Sequence, residues 1–283
     1  MPIVNTQVVE NIDITQNGTY DVARYTEARV NVSGGGGTNY LHLVVDENGM
    51  LRKDPTMIET PDLKGVKTIQ EYLFYSAYYD NQNISGQALR NVDELDLICV
   101  RGFERAFEDC KNITSTGLNK GKHRIIVDDF ALSSAFWGCT NLVDAGVNKI
   151  VQMSPGALHY CFAQCSSLRV ANFEKFKVTY CVGEEDRDPF DNTFFDCANL
   201  KHVYFPALFQ YGCDPNYDEF EGNFMRTMLN RCDGVTVHFR SDLESAMSQW
   251  PSLHEEKIFG GTNTIIAWDL GDDSSSSSSE PEE

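Results

Sequence analysis

Between about residue 100 and residue 270 the apolar positions fall in short clusters that repeat, with no long helical or strand-like run. Four stretches share one order of residue types: "AFEDCKNI" from Ala106 to Ile113, "AFWGCTNL" from Ala135 to Leu142, "CFAQCSSL" from Cys161 to Leu168 and "TFFDCANL" from Thr193 to Leu200. Each reads small residue, aromatic, two variable positions, cysteine, two variable positions, then leucine or isoleucine. A short helical turn places residues three apart in one stripe. The spacing therefore predicts an inward stripe made of Phe107, Cys110 and Ile113; Phe136, Cys139 and Leu142; Phe162, Cys165 and Leu168; and Phe194, Cys197 and Leu200. Short extended pieces follow. In "SLRVANF" Val170 and Asn172 alternate toward one face, and in "NLKHVYFP" Val203 and Phe205 do so before Pro206 ends the run.

Cys110, Cys139, Cys165, Cys197 and Cys232 stand 29, 26, 32 and 35 residues apart, the spread of a solenoid unit carrying loop insertions of variable length. One unit cannot bury its apolar side alone, whereas a stack of copies can. The expected fold is accordingly α/β, a solenoid of short parallel strands and short helical turns. In it the thiol serves as a small apolar group where coils approach closely. Cys161 takes the small-residue slot of Ala106, Ala135 and Thr193, so "CFAQC" need not be a redox or metal pair. In a last, divergent unit Leu229 replaces the aromatic, Cys232 keeps its slot and "VTVHF" is the strand. "SDLESAMSQW", with Ser241 as N-cap, is then a closing helix, and "NTIIAWDL" a final strand.

The first third of the chain has a different period. "QVVENIDIT" and "EARVNV" flank an Asn17–Gly18 turn signal, and Leu41, Leu43 and Val45 alternate before Asn48–Gly49, so both regions predict hairpins. Between them "SGGGG" is a hinge by composition. The organisation read from these breaks is a small β module at 1–32, a Gly-rich hinge at 33–38, a hairpin and N-terminal cap region at 39–98, the repeats at 99–270 and an acidic, Ser-rich tail at 271–283. Within the cap region, "EYLFYSAYYD" concentrates aromatics. As a helix it would put Tyr72, Tyr75 and Tyr79 on one face and Phe74 and Tyr78 on another. It reads either as the cap a solenoid requires or as a protein or glycan contact surface, since tyrosine is favoured at interfaces.

Charge narrows the partners. Lys and Arg total 23 against 42 Asp and Glu, a formal net charge of −19, which repels nucleic acid and anionic membrane alike. The N-terminus has no basic region followed by an apolar one, and no apolar run is long enough to span a bilayer, so neither a signal peptide nor a transmembrane segment is expected. The nine cysteines are an odd count, and without an export signal they read as reduced thiols.

Catalytic and metal motifs are not found. His42, His123, His159, His202, His238 and His254 are scattered, without H-E-x-x-H or paired C-x-x-C spacing, which leaves a zinc site assembled across coils as the alternative to packing cysteines. "GLNKGKH" lacks the spacing and hydroxyl of a phosphate loop and reads as a polar loop between repeats. "GEEDRDPFD" does not follow the order of an EF-hand loop and reads as a solvated insertion, with calcium binding the sharper alternative. No catalytic residue and no cofactor is expected.

The unit "AF-x-x-C-x-x-L-x-x-V-x-F-P" resembles the BspA-type leucine-rich repeats of bacterial surface proteins and of proteins from phages and gut bacteria, over roughly residues 100–270. "ITQNGTYDVARYTEARVNVSGGGG", residues 14–37, resembles a short segment that recurs near the ends of virion and tail-associated proteins of phages infecting Gram-positive bacteria. These resemblances imply a leucine-rich-repeat solenoid in a non-enzymatic virion structural protein, a tail, baseplate, fibre or capsid-decoration component assembled in the host cytoplasm. Its partners would be other virion proteins, a host surface protein or glycan, and further copies in a homo-oligomer. A bacterial cell-surface adhesin-like or scaffolding protein is the alternative they imply.

Overall fold

The computed structural model describes the backbone of residues 11–13, 27–31, 40–45 and 51–53, and then residues 60, 63, 66–69, 71, 74–154, 156–173, 190–205, 225, 227–247 and 257–271. Strands β1 (Asn11–Asp13), β2 (Glu27–Asn31), β3 (Tyr40–Val45) and β4 (Leu51–Lys53) form one sheet in that order. β3 and β4 are antiparallel, with Val45 opposite Leu51, as the alternation of Leu41, Leu43 and Val45 predicts. β1 and β2 are parallel, with Ile12 opposite Val30. The hairpin expected between them is thus not formed, because a two-residue turn joins only antiparallel neighbours; Asn17 and Gly18 themselves lie outside the described residues. β2 pairs instead with β3, antiparallel across the glycine run.

From residue 60 the chain is a parallel-strand β-solenoid with almost no helix. Its strands are β5 (Thr68–Ile69), β6 (Gly86–Gln87), β7 (Leu97–Ile98), β8 (Ile113–Ser115), β9 (Ile125–Val127), β10 (Ile150–Met153), β11 (Val170–Asn172), β12 (His202–Phe205), β13 (Thr236–Arg240) and β14 (Ile265–Leu270). Two ladders run along the axis. β5, β7, β9 and β10 form the first, each strand parallel to the next. β6 and β8 begin the second, which a Ser115–Asp144 bridge extends, and β11 to β14 stack in order beyond it. The first ladder corrects the expectation of one strand per unit: "TI", "LI", "IIV" and "IVQM" precede the repeat stripe, and their β-branched content was the available signal. The α component of the expected α/β class shrinks to one helix among the described residues, α1 (Glu244–Met247), beside short 3-10 turns. Ser241 begins such a turn and does not cap it; the N-cap position is Arg240, whose side chain makes no capping hydrogen bond and pairs instead with Asp242.

The segment holding each stripe is a wall of overlapping turns, which corrects the expected helical turn. A helix sends each N–H to the carbonyl four residues back. Here alternate N–H groups cross to the next coil: Phe103 N to Ala131 O at 2.9 Å, Arg105 N to Ser133 O at 2.9 Å and Phe107 N to Ala135 O at 2.8 Å. The N–H groups between them turn back three residues, as from Ala106 to Phe103 O at 2.9 Å. Closing each turn puts every fourth residue in the left-handed region, such as Arg101, Arg105 and Asp109, or Phe130, Ser134 and Gly138. The position before the cysteine slot is held by Asp80, Asp109, Gly138, Gln164, Asp196 and Arg231, and Asp and Gly are among the residues that tolerate this conformation best. The inter-coil bonds offset the strain at the rest.

The stripe lies inside this wall. Phe107, Phe136, Phe162 and Phe194 are buried and stack ring on ring, with centroids 5.4, 5.8 and 5.8 Å apart. Tyr78 continues the row 5.0 Å from Phe107. "AYYDNQNI", Ala77 to Ile84, is therefore a repeat unit with Asn81 in the cysteine slot, a match to "AFEDCKNI" that the sequence already carried. At the other end "FGGTNTI" adds a further coil, with Phe259 buried and the Thr262 N–H donating to Cys232 O at 3.0 Å. The thiols do more than fill space. Cys110, Cys139, Cys165, Cys197 and Cys232 each donate S–H to the carbonyl of the aromatic one coil back, Tyr78, Phe107, Phe136, Phe162 and Phe194, at 2.8 to 3.1 Å. Ile113, Leu142, Leu168 and Leu200 are buried beside them.

Strand β11 faces the other way from the sequence expectation. Ala171 pairs with Val203, and Phe173 stacks on Phe205 at 4.9 Å, so these two point inward and Val170 is 42% exposed. Leu168 and Leu200 share one slot, and the third residue beyond each is inward, so the phase of β11 follows the coil and not its β-branched residue.

Candidate functional site

The outward columns of the turn wall differ from coil to coil, unlike the stripe behind them. One column, three residues before the stripe aromatic, contains Tyr75, Glu104, Ser133, His159 and Asp191, and Thr227, two residues before Leu229, adjoins it. Coil stacking links its later members: Ser133 Oγ lies 3.3 Å from His159 Nδ1, His159 Nε2 lies 3.2 Å from Asp191 Oδ2, and Thr227 Oγ1 donates to Asp191 Oδ1 at 2.5 Å. Burial works to raise the Asp191 pKa, but hydrogen bonds from His159, Thr227 and Asn192 outweigh it and hold the carboxyl below its usual range. The order hydroxyl, imidazole, carboxylate is that of an activated nucleophile. Here the flanking N–H groups are spent: Ser133 N donates to Phe130 O at 3.0 Å and Ser134 N to His159 O at 2.8 Å, so neither can serve an oxyanion.

Aromatics and guanidiniums fill the neighbouring columns. Trp137 stacks on Tyr160 at 5.1 Å, Tyr160 meets Phe195 at 5.5 Å, and Arg231 lies over Phe195 at 4.9 Å. Arg101 covers Phe130 at 5.1 Å, and Arg105 covers Tyr79 at 5.4 Å. Both arginines also hold carboxylates of their own coil, Arg101 with Glu104 at 2.7 Å and Arg105 with Glu108 at 2.6 Å; the latter bond raises the Arg105 pKa. Between these groups the wall opens into a hollow of about 280 Å³.

Of the expected contact tyrosines, Tyr75 and Tyr79 are 38% and 49% exposed on this wall, beside buried Phe74 and Tyr78, while Tyr72 lies outside the described residues. The acidic run 183–191 lies mostly outside them too. "GLNKGKH" is no inserted loop: Leu118–Lys120 forms a 3-10 turn matched one coil later by Val147–Lys149.

Two of the six histidines meet at a second place. His202 Nδ1 lies 2.9 Å from His238 Nε2, and His238 Nδ1 lies 3.0 Å from Asp269, a chain across β12, β13 and β14 with Tyr204 stacked on His238 at 4.3 Å. Its members are 31 and 36 residues apart in sequence, which no local motif reveals. Among the described residues no group of three or more His, Cys, Asp or Glu is placed to hold a metal ion, and the repeat thiols point to carbonyls. No helix of the described residues is long and apolar enough to cross a membrane.

Fold and wall together define a class, a parallel-strand β-solenoid with a variable aromatic and charged outer wall over a uniform core. No family model, curated protein or solved structure matches the chain.

Proposed function

We propose that this chain is a non-enzymatic structural protein of a phage virion, a tail, baseplate, fibre or capsid-decoration component whose BspA-type leucine-rich repeats present the turn wall to a partner. The observation that carries the binding role is the contrast between the stripe, which repeats Phe, Cys and Leu, and the column one residue beyond the aromatic slot, Tyr79, Glu108, Trp137, Ala163, Phe195 and Asn230, which changes at every coil. Repeat proteins use such a division to vary recognition without disturbing the core. The wall is rich in Trp, Tyr and Arg, the residues that dominate binding energy at interfaces. The segment 14–37 supports attachment to a particle through its resemblance to virion-associated chains. Partners in this reading are other virion proteins, further copies, and a host surface protein or glycan; nucleic acid and membrane are not partners.

Immunogold electron microscopy of purified particles tests the placement: labelling at one structural feature is expected, and particles devoid of the chain would refute it. Labelling of the bacterial envelope instead would favour the adhesin-like alternative.

A further inference from the structure

The hollow of the turn wall is built for a neutral, hydroxyl-rich ring. Its charged groups cancel in pairs, Arg101 with Glu104 and Arg105 with Glu108, so it offers no net charge to select an anion or a cation. It does offer fixed donors and acceptors side by side: Arg105 holds Glu108 through two bonds, at 2.6 and 3.1 Å, which locks the guanidinium and carboxylate in one plane. Vicinal hydroxyls, each both donor and acceptor, match an edge where guanidinium N–H groups and carboxylate oxygens alternate.

The apolar side of the hollow is aromatic. Tyr160 covers one face of the Trp137 indole, and Trp137 lines the hollow together with Arg105 and Glu108 of the preceding coil. Stacking on Tyr160 fixes the indole plane before any ligand arrives, which lowers the ordering cost of binding. A sugar ring has this same division, an apolar C–H face and a polar hydroxyl rim. We infer that the hollow binds a neutral sugar residue, with Trp137 beneath the ring and the Arg105–Glu108 pair at its hydroxyls. The inference deepens the proposed host-surface role by naming the partner class, and it rests on the same wall.

The test uses the purified full chain and four methyl glycosides, of glucose, galactose, rhamnose and N-acetylglucosamine, read by saturation-transfer NMR. At least one should bind with a Kd near ~1 mM, the range of a small site with few contacts. Trp137→Ala should weaken that binding at least tenfold and Trp137→Phe should restore part of it, while circular dichroism shows the same fold in both. Glu108→Gln should also weaken it. No binding by any of the four glycosides would overturn the inference, as would binding that Trp137→Ala leaves unchanged. Binding of inorganic phosphate in their place would show an anion site and equally overturn it. Because soluble sugars read the site and immunogold labelling reads the placement, failure of one is distinguishable from failure of the other.

Discussion

Removing one ring from the middle of the aromatic row is the most direct test of how the solenoid is held together. Phe136 is 1% exposed and lies between Phe107 and Phe162, nearly parallel to both at 7° and 9°. Phe136→Ala deletes a fully buried side chain, which costs about 3 to 5 kcal/mol in a core that relaxes only in part. The upper half of that range is expected here, because two stacked pairs are lost at once, each contributing roughly 0.5 to 1.5 kcal/mol. Collapse into the gap is resisted, since the flanking coils are fixed by bonds such as Phe136 N to Cys161 O at 2.9 Å. Three residues on in the same coil, Cys139→Ala removes one S–H bond to Phe107 O, which still accepts the Cys110 N–H at 3.1 Å. That loss should be about 1 kcal/mol. Urea unfolding followed by circular dichroism gives both values, and hydrogen exchange at Phe136 shows whether the coil opens locally. A Phe136→Ala cost below about 1.5 kcal/mol, or equal costs for the two variants, would refute the view that the aromatic row is the main source of coil-to-coil stability.

Other outcomes follow from burial and backbone geometry. Burial pushes the Cys110 thiol up to about 12 and Cys232 up to about 11, and drives Cys139, Cys161, Cys165 and Cys197 well above the ordinary range. Iodoacetamide should therefore leave these six unmodified in the native protein and label them after unfolding, as read by mass spectrometry. The unfolded chain sheds thiol protons above the ordinary value of 9.0 while the folded chain keeps them, so stability present below that pH should fall as pH rises toward 11 to 12, measurable as a declining Tm. Gly146→Ala should be strongly destabilising, because its φ is +64° and a Cβ would overlap Thr116 Oγ1; Gly234→Ala, at φ +63° with open space around it, should cost only about 1 kcal/mol in the same melts. The double variant Tyr75→Ser, Tyr79→Ser should keep its fold, since both rings are exposed while Phe74 and Tyr78 fill the core; loss of folding would instead assign all four to capping.

Much of the interior was readable because it is local. Aromatic, thiol and aliphatic groups at fixed spacing have one physical purpose, burial on one side, and Phe136, Cys139 and Leu142 are accordingly inside. The mistake of phase at β11 shows the limit of that logic. Val170 is more apolar than Ala171, yet Leu168 fixes the coil and turns Ala171 inward. The candidate site was not legible at all, since Arg105, the Ser133 and Trp137 pair, and His159 come from three successive coils and follow no motif.

The sequence by itself determined that this chain stacks repeated coils and which residues form their inner stripe, because that information lies within eight consecutive residues and is set by hydrophobic burial. Only the tertiary structure decided that the stripe rides on left-handed turns and not on helices, because half of the N–H partners there belong to the next coil. It likewise decided that each of the five stripe thiols is a donor to the coil behind it, and that Ser133, His159, Asp191 and Thr227 form one chain, because both contacts exist only once coils are in register.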